Sequence, residues 1–248
     1  MPPRPFLKQI ELLRKDVPSF DRYPFALDAV RNLETVALHP KVTYFVGDNG
    51  CGKSTLLEAL AVAWGFNPEG GSRSFGFDTR KSHSELHDYL RLVRGTRRAR
   101  SGFFLRAESF FNLATEIEAL DAEEANDPYI IDAYGGIPLH QQSHGESFMA
   151  LFMNRFCGDS FFILDEPEAA LSPTRQMAMI SRMHQLVGEG SQFVIATHSP
   201  IVMAYPEATI YSLDGEGLNE VDYEETEHYI VTRSFLNGRE KMLRELMS

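Results

Sequence analysis

Gly47-Asp48-Asn49-Gly50-Cys51-Gly52-Lys53-Ser54-Thr55 carries glycine, four variable residues, then Gly-Lys-Ser, the spacing of a loop that cradles phosphate groups. The residues on either side agree with that. Val42-Thr43-Tyr44-Phe45-Val46 is β-branched and aromatic with no breaker, which predicts a buried strand. Leu56, Leu57, Leu60, Ala61 and Trp64 recur at helical spacing, so a helix follows. Glycines let the backbone turn tightly, and successive N–H groups then converge on an anion. The positive end of the helix dipole faces the same point. In such a loop Lys53 reaches the β- and γ-phosphates, and the Ser54 hydroxyl is a ligand for Mg²⁺. The competing explanation, a glycine-rich turn that matches by accident, is weakened by the strand and helix that flank it.

The chain has 248 residues, which suits one α/β domain or two small ones and is ample for a sizeable core. Hydrophobic residues at 43% and charged ones at 24% are ordinary for a globular protein. No run of about 18 apolar residues predicts a membrane span. Met1-Pro2-Pro3-Arg4-Pro5 lacks the apolar core of a secretory signal. Cys51 and Cys157 form neither a disulfide framework nor a zinc pattern. Cytoplasmic residence is the default expectation, with no membrane insertion. A net charge of −11 argues against a surface built throughout to coat nucleic acid. The charge is uneven, however: nine Lys/Arg lie between Arg73 and Arg106, against Asp78, Glu85 and Asp88, while Asp214 to Glu227 is acidic.

Phe6 to Leu12 alternates well enough for a strand, and Phe25 to Leu38 leans to strands before the turn at His39-Pro40. Leu86, Leu90 and Val93 hint at a helix. Phe103-Phe104-Leu105 reads as a short buried strand, Ser109 to Leu120 as a helix, Asp127 to Pro138 as a loop, and Ser147 to Phe156 as a helix. Phe161-Phe162-Ile163-Leu164 and Phe193-Val194-Ile195-Ala196 are buried strands, with a helix from Pro173 to Val187 between them. Thr209 to Leu213 predicts a further strand, and Glu240 to Met247 a short terminal helix. Continuous apolar strands alternating with helices imply a mainly parallel α/β sheet covered on both faces, with extra strands near the N-terminus. The expected organisation is a single domain over residues 1–248, with a helical subregion at roughly 75–157.

Two strand ends carry chemistry. The strand Phe161 to Leu164 ends in Asp165-Glu166-Pro167, and strand C-termini are where parallel α/β sheets place their ligands. Asp165 is placed to hold Mg²⁺ through its water shell, and Glu166 to polarise an attacking water as general base. The strand Phe193 to Ala196 ends in Thr197-His198-Ser199-Pro200. His198 follows Asp165 by 33 residues at the end of an expected neighbouring strand, within reach of the γ-phosphate and the water. The blander explanation is a histidine at a strand–helix turn, since Ser199-Pro200 also resembles a helix start.

The order of phosphate loop, polar motif, Asp-Glu-Pro and Thr-His resembles that of the ATP-binding-cassette (ABC) ATPases. It is closer to soluble RecF-like and AAA-domain members than to transporter subunits. The family signature Leu-Ser-Gly-Gly-Gln corresponds to Gln142-Ser143-His144-Gly145-Glu146, where Ser143 and Gly145 match and the other three depart. The resemblance implies P-loop residues Gly47 to Thr55 on ATP and Mg²⁺ on Ser54 and Asp165. It also implies an ATP-sandwiched homodimer in which Ser143 and Gly145 face the opposite subunit's γ-phosphate. Ser172 stands where transporter members carry Asp. No Gln lies between Ser54 and Gln141, so Glu108, after Phe103-Phe104-Leu105, is the candidate for the metal-facing Q-loop position. Phe20, Tyr23 and Phe25 are candidates for stacking on adenine. Together these imply an ATPase.

Two classes of function stand: a hydrolysing ABC-type ATPase whose dimer opens and closes, in DNA-associated, defence or transport work, and a non-hydrolysing ATP-gated switch that docks an unidentified protein partner. The arginines at 91, 94, 97, 98 and 100 are either a nucleic-acid backbone surface or a solvated face paired with acidic residues. The absence of interleaved aromatics favours the second. Cys51, at a variable loop position, is a small neutral filler.

Overall fold

The computed structural model describes residues 4–72, 84–108, 130–138, 141–214 and 217–248, together with Phe110, Thr115 and Ile117. Its strands are β1 (Leu7–Leu12), β2 (Thr35–Ala37), β3 (Val42–Gly47), β4 (Leu90–Arg94), β5 (Ser101–Arg106), β6 (Ser160–Asp165), β7 (Gln192–Ala196), β8 (Ala208–Asp214) and β9 (Gly217–Val221). Its α-helices are α1 (Asp28–Arg31), α2 (Lys53–Trp64), α3 (His144–Ala150), α4 (Pro173–Gly188) and α5 (Glu227–Leu246). The main sheet has the order β5-β6-β7-β3-β8-β9, and every pairing is parallel except β8 with β9. A smaller antiparallel sheet runs β2-β1-β4.

Strand periodicity divides the core. Phe45, Phe104, Phe161, Ile163, Val194 and Ala196 point to one face of the main sheet and pack with α2 and the small sheet. Tyr44, Phe103, Phe162, Leu164, Phe193 and Ile195 point to the other, under Phe148 of α3 and Met179, Met183 and Leu186 of α4. Side chains alternate along a strand, so strands apolar at every position must be covered on both sides, as the unbroken apolar runs predict. Gln192 joins the two sheets. Its Oε1 accepts from the N–H groups of Phe6 and Leu7 at 2.9 and 3.0 Å, and its Nε2 donates to the carbonyls of Leu7 and His39 at 2.8 and 3.0 Å. All its hydrogen-bonding capacity is therefore used inside the core.

Gly102 on β5 is a steric requirement: a Cβ there would lie 2.4 Å from the Phe161 carbonyl oxygen and 2.8 Å from Phe66 Cζ. Gly102→Ala is expected to destabilise the fold by about 1–3 kcal/mol, the usual cost of overpacking. Thermal unfolding followed by circular dichroism checks this, and an unchanged midpoint would contradict the packing described.

Several expected elements differ. Phe25 to Leu38 does not form strands throughout: Phe25, Ala29, Val30 and Leu33 are buried together, a helical spacing that α1 satisfies, and only Thr35–Ala37 is extended. Leu86, Leu90 and Val93 do not share a helix. Glu85–Tyr89 is a 3₁₀ turn, and β4 pairs with β1 so that Leu90 and Leu92 enter the core. The helix expected from Ser147 begins at His144 and continues as a π-helical turn over Leu151–Arg155. The terminal helix is far longer than expected, beginning at Glu227. The helix expected over Ser109 to Leu120 lies outside the described residues apart from Phe110, Thr115 and Ile117; of the loop expected from Asp127 to Pro138, residues 127–129 lie outside them, and Ile130–Tyr134 forms a 3₁₀ turn.

Candidate nucleotide-binding site

The loop after β3 closes around its own lysine. Gly47 has φ 145°, and a Cβ there would meet the Leu213 carbonyl oxygen at 2.4 Å, so only glycine lets the strand turn this close to β8. Lys53 is buried, and its Nζ donates to the carbonyls of Gly47 and Asp48 at 2.9 and 2.8 Å. Among the described residues, the backbone N–H groups from Asn49 to Thr55 find one protein acceptor, the Asp48 carbonyl that takes the Cys51 N–H at 3.5 Å. The remainder cluster at the start of α2, a set of unsatisfied donors beside a cation at the positive end of a helix. Gly50, Gly52, Lys53, Ser54 and Thr55 line one cleft together with Glu166.

Strand order brings the other stations to this loop. β7 lies between β3 and β6, and parallel pairing sets their C-terminal ends side by side. Ser54 Oγ donates to Asp165 Oδ1 at 3.0 Å. Burial pushes the Asp165 carboxyl up to about 6, against the pull of the Arg106 guanidinium and the Ser54 hydroxyl. Arg106 Nε lies 3.6 Å from Asp165 Oδ2, while the same guanidinium pairs with Glu58 at 2.7 Å and approaches Glu108 at 3.7 Å. Glu166 adopts a left-handed conformation, φ 51° and ψ 52°, which costs a non-glycine residue about 1–2 kcal/mol. Its N–H donates to the Ala196 carbonyl at 2.9 Å, tying it to the end of β7.

His198 is clamped from several sides. Its backbone N–H donates to Glu168 Oε1 at 2.6 Å. Its Nδ1 lies 2.9 Å from Nε2 of His228 on α5. Its Nε2 is 3.3 Å from Glu166 Oε1 but buried without an aligned hydrogen bond. Burial, then the nearby Lys53 charge, lowers the pKa of His198, with Glu166 pulling the other way. Glu168 is pushed up by burial.

Gly47 to Thr55, Asp165, Glu166 and His198 therefore converge. Glu108 lines the adjoining cleft with Ser54, Asp165, Glu166 and His144, although its side chain is largely exposed. Ser143 is the exposed N-cap of α3, where its N–H and hydroxyl both donate to Glu146, at 3.0 and 2.6 Å. Gly145 is buried, and a Cβ there would lie 2.7 Å from the Ala170 carbonyl oxygen and 2.4 Å from Arg175 Nη1. Ser172 caps α4, accepting from the Arg175 N–H at 3.4 Å. Of the adenine candidates, Phe25 is fully buried against Tyr89 and cannot stack on a base. The Phe20 ring is covered by Arg14 at 4.4 Å, while Tyr23 is exposed.

Among the described residues the basic run is largely tethered to its own chain, with no ion pair to the acidic segment from Asp214. Arg91 pairs with Glu11 and Arg97 with Asp159. Arg94 lies over the Trp64 ring at 4.5 Å and Arg97 over Phe6 at 4.8 Å. Arg73, Arg80 and Lys81 lie outside the described residues. Arg106, Glu168 and His228 are site residues that motif reading missed. Arg106 had one available signal, its place at the end of a strand beside that of Asp165.

Residues 24–125 match a family model described as "AAA domain". Residues 129–204 match one described as "AAA domain, putative AbiEii toxin, Type IV TA system". A stretch of 32 residues is 66% identical to the DNA replication and repair protein RecF of Colwellia psychrerythraea; it makes up 12% of this chain and 8% of that protein's length. Among solved structures, cbiO1 from Clostridium perfringens, part of the ABC transporter complex cbiONQ, aligns at 16% identity over 86% of this chain and 92% of its own, TM-score 0.42. An SmcHead bound to the C-winged helix domain of ScpA aligns at 11% identity over 88% of this chain and 98% of its own, TM-score 0.47. Among the described residues, no helix is long and apolar enough to cross a membrane.

Proposed function

We propose that this chain is an ABC-type P-loop ATPase of the AAA-domain group, and that it binds Mg²⁺-ATP, hydrolyses it to ADP and phosphate, and does so between two copies of itself. The observation that carries this is the junction at Ser54 and Asp165, in contact at 3.0 Å, with the open N–H cluster of the loop on one side and Glu166 and His198 on the other. Phosphate oxygens take up the loop N–H groups, and Lys53 exchanges its carbonyl partners for them. Ser54 and Asp165 are the hard-oxygen donors that suit Mg²⁺, with Glu108 at the cleft as a third candidate. When bound, Mg²⁺ draws charge off the phosphate oxygens as the leaving group departs. Arg106 helps keep Asp165 ionised. Glu166 takes the proton of the attacking water, whose oxygen bonds to the γ-phosphorus as the bond to the bridging oxygen breaks. His198 donates to the phosphoryl oxygens or the water from its Nε2 side.

In this reading residues 1–248 work as one domain, and Ser143 with Gly145 completes the site of the opposite subunit. Ser143 favours this because it is exposed at a helix start. Gly145 also has a packing reason to be small, so the test falls on Ser143. Glu166→Gln protein is expected to be monomeric without nucleotide and dimeric with Mg²⁺-ATP by light scattering, while Ser143→Arg stays monomeric and still binds ATP. A dimer in Ser143→Arg would remove the signature role. A hydrolysing enzyme is favoured over an ATP-gated switch because Glu166 is held in a strained conformation at the cleft. The matched toxin-type model and the short RecF match favour defence or DNA-associated work over transport. The internal pairing of Arg91, Arg94 and Arg97 favours an unidentified protein partner over direct duplex contact through that run.

A further inference from the structure

The C-terminal helix reaches the catalytic centre through its first turn. Thr226, its N-cap, is buried, with Oγ1 3.5 Å from Met203 Sδ and 2.8 Å from the Tyr223 carbonyl. Tyr223 Oη donates to the Pro200 carbonyl at 2.8 Å. The start of α5 is thus fastened to the segment that follows His198, while α5 itself has no fully buried residue. That contact brings His228 to the site, its Nε2 2.9 Å from His198 Nδ1 and the ring centroids 5.1 Å apart.

Between two nitrogens at that distance there is one proton. If His198 Nδ1 carries it, His198 Nε2 is a lone pair facing the Glu166 carboxylate, a repulsive arrangement that offers nothing to a phosphate. If His228 Nε2 carries it, His198 Nδ1 accepts and Nε2 bears an N–H on the side of Glu166 Oε1, 3.3 Å away but not aligned for a hydrogen bond, and so free to donate to a phosphate. The groups facing the pair are Glu166 at the end of β6, Glu168 in the next turn, Lys53 and Asp48 of the loop, and Glu227 on α5. Burial and the Lys53 charge lower the pKa of both rings, so near neutral pH the pair shares neutral tautomers and the choice between them is set by these neighbours.

We propose that His228 is a positioning residue for His198, donating from its Nε2–H to His198 Nδ1 and so fixing His198 as the Nε2–H tautomer, with that N–H left for the reacting phosphate. The nitrogen that a histidine uses is set by the hydrogen bond that its other nitrogen makes; partners that orient metal-bound histidines in the same way alter activity by about 10–100-fold when removed, and that sets the scale here. The kinetic consequence rests on the hydrolysis proposed above; the tautomer does not.

The test is ¹⁵N-histidine NMR of the nucleotide-free protein, with His198 assigned through His198→Gln, alongside ATPase kinetics. The variants are His228→Phe, which keeps the bulk and removes the donor, and His228→Gln, whose amide nitrogen sits near the place of Nε2. Expected are a proton on His198 Nε2 in the wild type and loss of that preference in His228→Phe. With it, kcat should fall roughly tenfold or more at unchanged KM for ATP, and both should recover in His228→Gln. An unchanged His198 tautomer in His228→Phe, or a His228→Gln as impaired as His228→Phe, overturns the proposal. A wild type that releases no phosphate sinks the hydrolysis reading, and the tautomer comparison still decides the role of His228.

Discussion

Glu166→Gln is expected to lower phosphate release from Mg²⁺-ATP by about 10²–10⁴-fold, the range attributable to a lost general base, while ATP affinity stays within a few-fold of wild type. The carboxamide keeps the shape of the carboxylate but cannot take the water's proton. The features that hold the residue survive the change. Its N–H still donates to the Ala196 carbonyl, and glutamine meets the left-handed backbone at residue 166 with the same β-carbon that glutamate does. The loop donors and Lys53 are untouched. Phosphate release together with fluorescent-nucleotide titration separates the two effects, and a variant that turns over like wild type would require another base.

Lys53→Ala is expected to fail earlier, at binding. Charge-assisted hydrogen bonds are worth about 1.5–3 kcal/mol each, so losing the ammonium from the phosphates should weaken nucleotide affinity roughly 10²-fold or more. A second effect acts in the same direction: Lys53 holds the Gly47 and Asp48 carbonyls at 2.9 and 2.8 Å, so the empty loop also loses the tie that keeps its N–H groups convergent. Titration with fluorescent ATP measures it. Affinity equal to wild type would place the nucleotide somewhere other than this loop.

What was legible in the sequence is what local chemistry dictates. The glycine spacing from Gly47 to Gly52, the apolar strands and the carboxylates that close β6 each announce themselves within a few residues, and β7 next to β6 followed from alternating strands and helices. Local pattern misled where two periods coincide. Leu86, Leu90 and Val93 fit a helix, yet pairing with β1 decided for a turn and a strand. Phe25 to Leu38 leaned to strands because Leu33, Val36 and Leu38 precede the turn at His39-Pro40, but burying Ala29 and Val30 together needs a turn of helix. Phe25, an adenine candidate by position, was claimed by the core. Arg106 had only its place at a strand end to mark it, and His228 had no signal, because their partners, Asp165 and His198, are distant in the chain and meet only when sheet order and the docking of α5 are known.

The central claim is that this cleft hydrolyses ATP, and the most direct measurement is release of inorganic phosphate from Mg²⁺-ATP by the purified wild-type chain beside Glu166→Gln and Lys53→Ala. Many turnovers per chain in the wild type, abolished in both variants with binding retained only in Glu166→Gln, is the predicted result. Tight ATP binding by the wild type with no phosphate released, or release that persists in Glu166→Gln, would contradict it.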